Sequence, residues 1–219
     1  MTRREMLWTA AAPAFMPRPA AAANKPSLCL FSKHLPDLGY DDLGRQCKQF
    51  GFDGVDLTVR PGGHVLPENV ERDLPVAVKA IRAHGLSVPM VTTQLVSHED
   101  PAAEPTIRVA GALKVPFFKI GYSRYGSERA LETLAKVKQG TAGLVSLGKK
   151  HGVAAGFHNH SGNFVGTAVW DIRDLIHDLD PAWIGYYFDP CHATAEGGKY
   201  GWRLALDIAL DRLRMVALK

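Results

Sequence analysis

The sequence predicts an α/β fold of parallel strands closed into a (β/α)8 barrel, with a pocket at its C-terminal rim. Short apolar runs alternate with segments of helical periodicity, and no hairpin signal such as Asn-Gly joins two apolar runs. No Gly-x-Gly-x-x-Gly turn follows the first strand, so an open dinucleotide-binding sheet loses its main support. Most of the strands end in polar or charged residues, as expected of loops ringing a pocket.

The first strand is expected over residues 27–32, with Lys33 and His34 at its end. Asp41 and Asp42 suit the positive end of a helix dipole, and that helix runs to Phe50, where Gly51 stops it. Residues 52–59 give strand two, with Asp56 inside and Arg60 just past it. In the helix expected over 67–84, Val70, Leu74, Ala77, Val78 and Ile81 repeat at helical spacing, and Pro75 predicts a kink or a break. Strand three covers 86–92 and leads to Thr93 and Gln94; a short helix follows at 105–113. Strand four covers 115–121, with Lys119 inside and Tyr122 and Arg124 after it. The longest helical run is 127–151, with Ser127 as its cap and Gly140 and Gly143 as points of interruption. Strand five at 153–157, a helix at 168–179, strand six at 184–188, a helix at 204–213 and a seventh strand begun at 215–218 complete the series. An eight-unit barrel needs the rest of that strand and one more unit, so the barrel is expected to be truncated within strand seven.

A chain of 219 residues supports one well-filled core, here 27–219. The net charge of +4 is small and lacks Lys/Arg clusters, which argues against a nucleic-acid partner. Before the core, Arg3-Arg4, the apolar run 7–16 and the alanines at 20–23 have the anatomy of a twin-arginine export signal over 1–23. That reading predicts an exported or periplasmic protein; without it the location is cytoplasmic. The apolar run is too short to span a bilayer. Cys29, Cys47 and Cys191 are too few and too scattered for a disulfide framework. Trp170, Trp183 and Trp202 are expected to pack in the core or between helices.

Chemistry concentrates at two strand ends. Strand five runs into His158-Asn159-His160, and strand six into Asp189-Pro190-Cys191-His192. In extended chain His158 and His160 point the same way and Asn159 the other. Imidazole beside carboxylate supports acid–base work near neutral pH, and the same groups suit a divalent metal. The candidate catalytic residues are His158, Asp189 and His192, and the candidate metal set is Asp189, His158 and His160. Lys119 and Lys219 are placed to polarise a carbonyl. His34, Arg60, Lys119, His160 and Lys219 are candidates for contact with a small carbohydrate, and His64, Gln94, Tyr122 and Arg124 fall at other strand ends.

Phe52-Asp-Gly-Val-Asp-Leu, Gly85-Leu-Ser-Val, His158-Asn-His and Phe188-Asp-Pro-Cys-His, in this order, resemble the sugar phosphate isomerase/epimerase group of xylose isomerase-like TIM barrels. The resemblance implies proton movement beside a sugar carbonyl, commonly with one manganese or magnesium ion. It implies metal ligands from a strand-five Glu, a strand-six Asp, a strand-seven His and a strand-eight Glu. Asp189 matches the Asp, and His192 matches the His that follows it and contacts substrate. His158 stands where the Glu is usual, and Ala217 where the strand-seven His is usual. A divalent ion (Mn, Mg or Zn) and a metal-free mechanism therefore both stay open. So do the alternatives of a periplasmic keto-glycoside lyase or hydrolase and of a non-catalytic sugar-binding barrel.

Overall fold

The structure, a computed structural model, describes residues 26–219; the expected export signal lies outside the described residues. Seven parallel strands form one sheet in the order of the chain, with a helical crossover between each strand and the next. The strands are β1 (Cys29–Phe31), β2 (Gly54–Thr58), β3 (Ser87–Thr92), β4 (Phe117–Lys119), β5 (Ala154–His158), β6 (Ile184–Phe188) and β7 (Leu213–Val216). The helices are α1 (Tyr40–Gln49), α2 (Val70–Ala83), α3 (Ala103–Ala112), α4 (Ala130–His151), α5 (Val169–Ile176) and α6 (Pro190–Ala209). β1 and β7 are the two edges of this sheet.

The alternation of a strand divides the sheet into two faces. One face carries Val55, Leu57, Phe118, Ile184 and Phe188, all buried, and packs under Leu74, Ile81, Leu144 and Ile172 of the helices. Each such side chain contributes about 1.5–3 kcal/mol when removed from water. The other face is apolar at its N-terminal end, where Met90, Phe117 and Ala154 lie side by side, and polar toward its C-terminal end. The register Thr92↔Lys119↔Gly156 puts these residues side by side, two positions before His158, and Thr92 reaches diagonally to Asp56. Polar side chains can occupy that inner face because they bond to one another across strands.

Four expectations about helices are corrected. α2 runs unbroken through Pro75, which sits on a half-buried position one turn after the exposed Glu71, whose carbonyl loses its helical donor where water can replace it. α4 likewise continues through Gly140 and Gly143; these glycines admit the Val96 carbonyl and the His98 ring rather than interrupting the helix. Its N-cap is Arg129, with no side-chain cap, so Ser127 does not serve. The helix expected at 204–213 is the second half of α6, which begins at Pro190, bends at Gly198 (φ 59°, ψ −155°) and ends at Ala209; a 3-10 turn over Leu210–Arg212 follows, and Leu213 already belongs to β7. Trp183 and Trp202 pack on the core, but Trp170 is 56 % exposed on the outer face of α5, where the buried positions are Val169, Ile172, Leu175 and Ile176. Cys47 is buried, Cys29 half-buried and Cys191 exposed.

Gly156 and Gly185 are register partners on β5 and β6 and give a contrasting pair of tests. A Cβ at Gly185 would run into the Arg212 carbonyl oxygen, which is backbone; one at Gly156 would meet first the terminal methyl of Met215, which can move. Gly185→Ala is expected to cost about 1–3 kcal/mol and Gly156→Ala less than about 1 kcal/mol, read from urea unfolding midpoints. Equal losses would contradict this packing.

Candidate active site

β5 and β6 lie side by side, and their C-terminal ends are tied by one amide. Asn159 Oδ1 accepts the Asp189 N–H at 2.7 Å, and Asn159 Nδ2 donates to the Asp189 carbonyl at 2.9 Å. Asp189 then caps α6: Oδ1 accepts the His192 backbone N–H at 3.0 Å, and Pro190 occupies the first helical position. The Asp-Pro-Cys-His run is therefore a strand end and a helix start at once, which fixes the carboxylate and turns His192 back over it.

Asp189 is 0 % exposed. Its Oδ2 lies 3.6 Å from His158 Nε2, 3.6 Å from His192 Nε2 and 2.6 Å from Lys219 Nζ. Oδ2 has no well-aligned hydrogen bond despite the nearby ammonium, so the contact with Lys219 is an ion pair of poor directionality. Desolvation opposes the carboxylate charge, but Lys219, the His192 N–H and the surrounding positive charge together hold its pKa below the usual value.

The tautomers follow from the partners. His158 Nδ1 lies 3.1 Å from the Tyr187 carbonyl, which only accepts, so Nδ1 carries the proton and Nε2 presents a lone pair. Burial, then the Lys119 charge, lowers the His158 pKa to about 3, so the ring is neutral. His192 Nε2 lies 2.5 Å from the Lys219 ammonium, which donates to it, and its Nδ1 lies 2.8 Å from Ser161 Oγ. Burial also lowers the His192 pKa. Three electron-pair donors, His158 Nε2, Asp189 Oδ2 and His192 Nε2, thus converge within 4.8 Å of one another. Such a set can hold a divalent cation once the Lys219 ammonium, which faces both Asp189 Oδ2 and His192 Nε2, is displaced.

The structure brings His192 rather than His160 into that trio. His160 stacks on the His192 ring at 3.9 Å between centroids and bonds through Nδ1 to the Ser161 carbonyl. Tyr122 and Phe164 close the same wall, at 4.9 and 4.8 Å from the His160 ring. Arg124 holds this flank by bonding Asn163 and lying over Phe164. Lys119 is buried beneath Tyr122, with Nζ 3.3 Å from the ring centroid. His34 and Arg60 gather instead around Phe31 at the β1 and β2 ends, 6.0 and 5.8 Å from its ring, alongside Lys33. His64 is tied to Thr58 and the Leu35 carbonyl, and Gln94 is exposed.

Two features of the site were not marked as functional by the sequence. Ser161 orients His192 through a loop position that no spacing rule marks. Asp56 sits inside β2 with both carboxylate oxygens accepting from Thr92 Oγ1, at 2.7 and 3.0 Å. Burial raises its pKa to about 7 despite that bond and the charges of Lys119, Arg60 and Lys33. A lone acid inside the apolar run Gly54–Thr58 was the available signal.

A parallel sheet in chain order, with imidazoles and a carboxylate at adjacent C-terminal strand ends, defines a β/α barrel whose rim carries the site. The chain belongs to the xylose isomerase-like TIM barrel family, which it matches over residues 45–219. No curated protein sequence matches it. Among solved structures it is similar to a 3-keto-D-glucoside 4-epimerase from E. coli, at 15% identity and TM-score 0.70, over 88% of this chain and 78% of that one. It is also similar to a probable 3-DHS dehydratase of petrobactin synthesis from Bacillus anthracis, at 13% identity and TM-score 0.70, over 87% and 72%. A third is a xylose isomerase-like TIM barrel protein from Mycobacterium smegmatis in complex with magnesium, at 13% identity and TM-score 0.65, over 84% and 68%. Similarity at this identity speaks to the fold.

Proposed function

We propose that this barrel moves a proton beside the carbonyl of a small carbohydrate, as a sugar isomerase or epimerase. The observation that carries the reading is the pair of imidazole Nε2 atoms flanking the buried Asp189 Oδ2, each at 3.6 Å. His158 is anchored through Nδ1, so Nε2 can take the proton from the carbon beside the carbonyl; burial makes it a weak base, and the Asp189 charge has to offset that as the proton arrives. The imidazolium so formed faces the Asp189 carboxylate, which stabilises it. Lys219, an ammonium at the same oxygen, supplies positive charge for the oxyanion that develops as the proton leaves. Tyr122, His160 and Phe164 give the wall against which a sugar ring can lie.

A divalent cation, where present, would be held by His158 Nε2, Asp189 Oδ2 and His192 Nε2, and would supply Lewis-acid stabilisation of an enediolate. That role and the base role of His158 use the same nitrogen, so a bound ion transfers the proton work to another group. The similarity to a magnesium-bound barrel and to a 3-keto-D-glucoside epimerase supports keeping a metal and a keto-sugar within this reading. Elimination from a keto-glycoside begins with the same proton removal and is its nearest variant. The twin-arginine signal read in the first residues, and hence export, belongs to the proposal as well; it is tested by fractionating cells that express the chain with and without Arg3 and Arg4.

The chemistry is tested by incubating the protein with ketoses and keto-glycosides in deuterated water, with and without added Mn, Mg or Zn. Deuterium at the carbon beside the carbonyl is expected. Binding without exchange across the panel would leave a sugar-binding barrel instead.

A further inference from the structure

We propose that Lys119 is a buried nucleophilic amine that condenses with a carbonyl substrate to form an imine in the barrel interior. Lys119 is only 3 % exposed, lies at the last position of β4, and faces inward beside Thr92 and Gly156 of the neighbouring strands. No acidic oxygen among the described residues comes within the 4.0 Å of an ion pair to its Nζ. Its Nζ lies 3.3 Å from the centroid of the Tyr122 ring, and that ring in turn meets His158 and His160. The amine is thus held one aromatic ring away from the imidazoles; the ring face attracts an ammonium, but the burial of the site works against the charge. A lysine kept there for charge alone would be expected to have a carboxylate at contact distance.

The groups facing Lys119 agree. Desolvation is the largest influence and brings its pKa down to about 7; Asp56 opposes the shift, while Arg60 and Lys33 add to it. An amine so placed is about half neutral at pH 7, whereas a solvated lysine is neutral in fewer than about one molecule in a thousand. Desolvated lysines of this kind form Schiff bases with carbonyl compounds.

The step balances without any co-reactant. The amine lone pair forms a C–N bond to the carbonyl carbon, and the carbonyl oxygen leaves as water with the two amine hydrogens. One proton from solvent makes the nitrogen an iminium. The iminium draws electrons from the adjacent C–H bond, and hydrolysis later restores the amine and carbonyl. The inference rests on the proposed function only for its choice of a carbonyl probe.

The experiment treats the full chain at pH 7 with dihydroxyacetone and sodium cyanoborohydride, then maps the reduced adducts by peptide mass spectrometry. Lys119 is expected to be labelled at least about tenfold faster than exposed lysines such as Lys48, Lys79 and Lys114. Lys119→Arg and Lys119→Met should lose that adduct alone. Labelling of surface lysines with no preference for Lys119 would overturn the proposal; because this is read on the wild-type chain, a variant that fails to fold does not blunt it. Deuterium exchange is measured on the same preparation. Exchange without a Lys119 adduct overturns the imine and leaves the isomerase reading standing. A selective adduct without exchange supports the imine and counts against that reading.

Discussion

Asp189→Asn is expected to lower solvent exchange at the substrate carbon by about 10²–10⁴-fold while leaving the fold intact. Asparagine is as good a helix cap as aspartate, so Oδ1 can still accept the His192 N–H, and the backbone bonds to Asn159 do not involve the replaced atom. What disappears is the negative charge between the two imidazoles and Lys219. Without it, a proton arriving on His158 has no counter-charge, and Lys219 loses its anionic partner and keeps only its bond to His192 Nε2. Asp189→Ala removes the cap as well and should cost a further amount of about 1 kcal/mol in stability. Exchange rates and thermal melts of the two variants separate these effects. Unchanged exchange in Asp189→Asn would end the assignment of this carboxylate to the chemistry.

Asp56→Asn is expected to leave stability unchanged at pH 4 and to raise it by up to about 4 kcal/mol at pH 8. Asp56 has a folded pKa of about 7, above its unfolded value, so the folded state binds more protons between roughly pH 4 and 7. Its contribution is therefore greatest in acid and declines as pH rises through the folded pKa. His158 has the opposite sign. Its folded pKa of about 3 lies below the unfolded value of about 6.5, so the unfolded state takes up protons first and stability falls as the pH drops below about 6.5. In the wild type the two trends oppose each other over the same interval. Removing the Asp56 carboxyl exposes the acid sensitivity of His158, while the asparagine amide oxygen still accepts from Thr92. Urea unfolding of chelator-treated protein at pH 4, 5.5, 7 and 8 reads the difference; parallel curves for the two proteins would show that Asp56 ionises as an ordinary surface acid does.

The strands were legible because each is a short apolar run buried on its helix side, and β6 was legible to the residue. The first half of α6 was not. Its residues after His192 are mostly exposed and small or polar, and Gly197-Gly198 reads as a break, so no apolar stripe marks it. Of the site, Asp189, His158 and His192 could be read from residue type and position at strand ends. The choice between His160 and His192 as the third donor could not, because it turns on how the chain leaves β5. Past His158 the strand has ended, and the expected alternation no longer governs where His160 points. Ser161 and the Asp56–Thr92 pair depend on cross-strand geometry, which a linear pattern does not contain.

The Asn159 side chain has the same donor and acceptor as a peptide group and pairs with both polar atoms of the Asp189 backbone. In effect the β5–β6 ladder gains one more rung after β5 itself has stopped, built from a side chain instead of main chain. Distance between the two chemical ends is thereby set by the sheet and not by the connecting loop. Residues 162–164, between Ser161, which orients His192, and the buried Val165, can consequently change to suit different ligands while His158 and Asp189 keep their spacing, which makes that short stretch the natural place to graft new selectivity onto the scaffold.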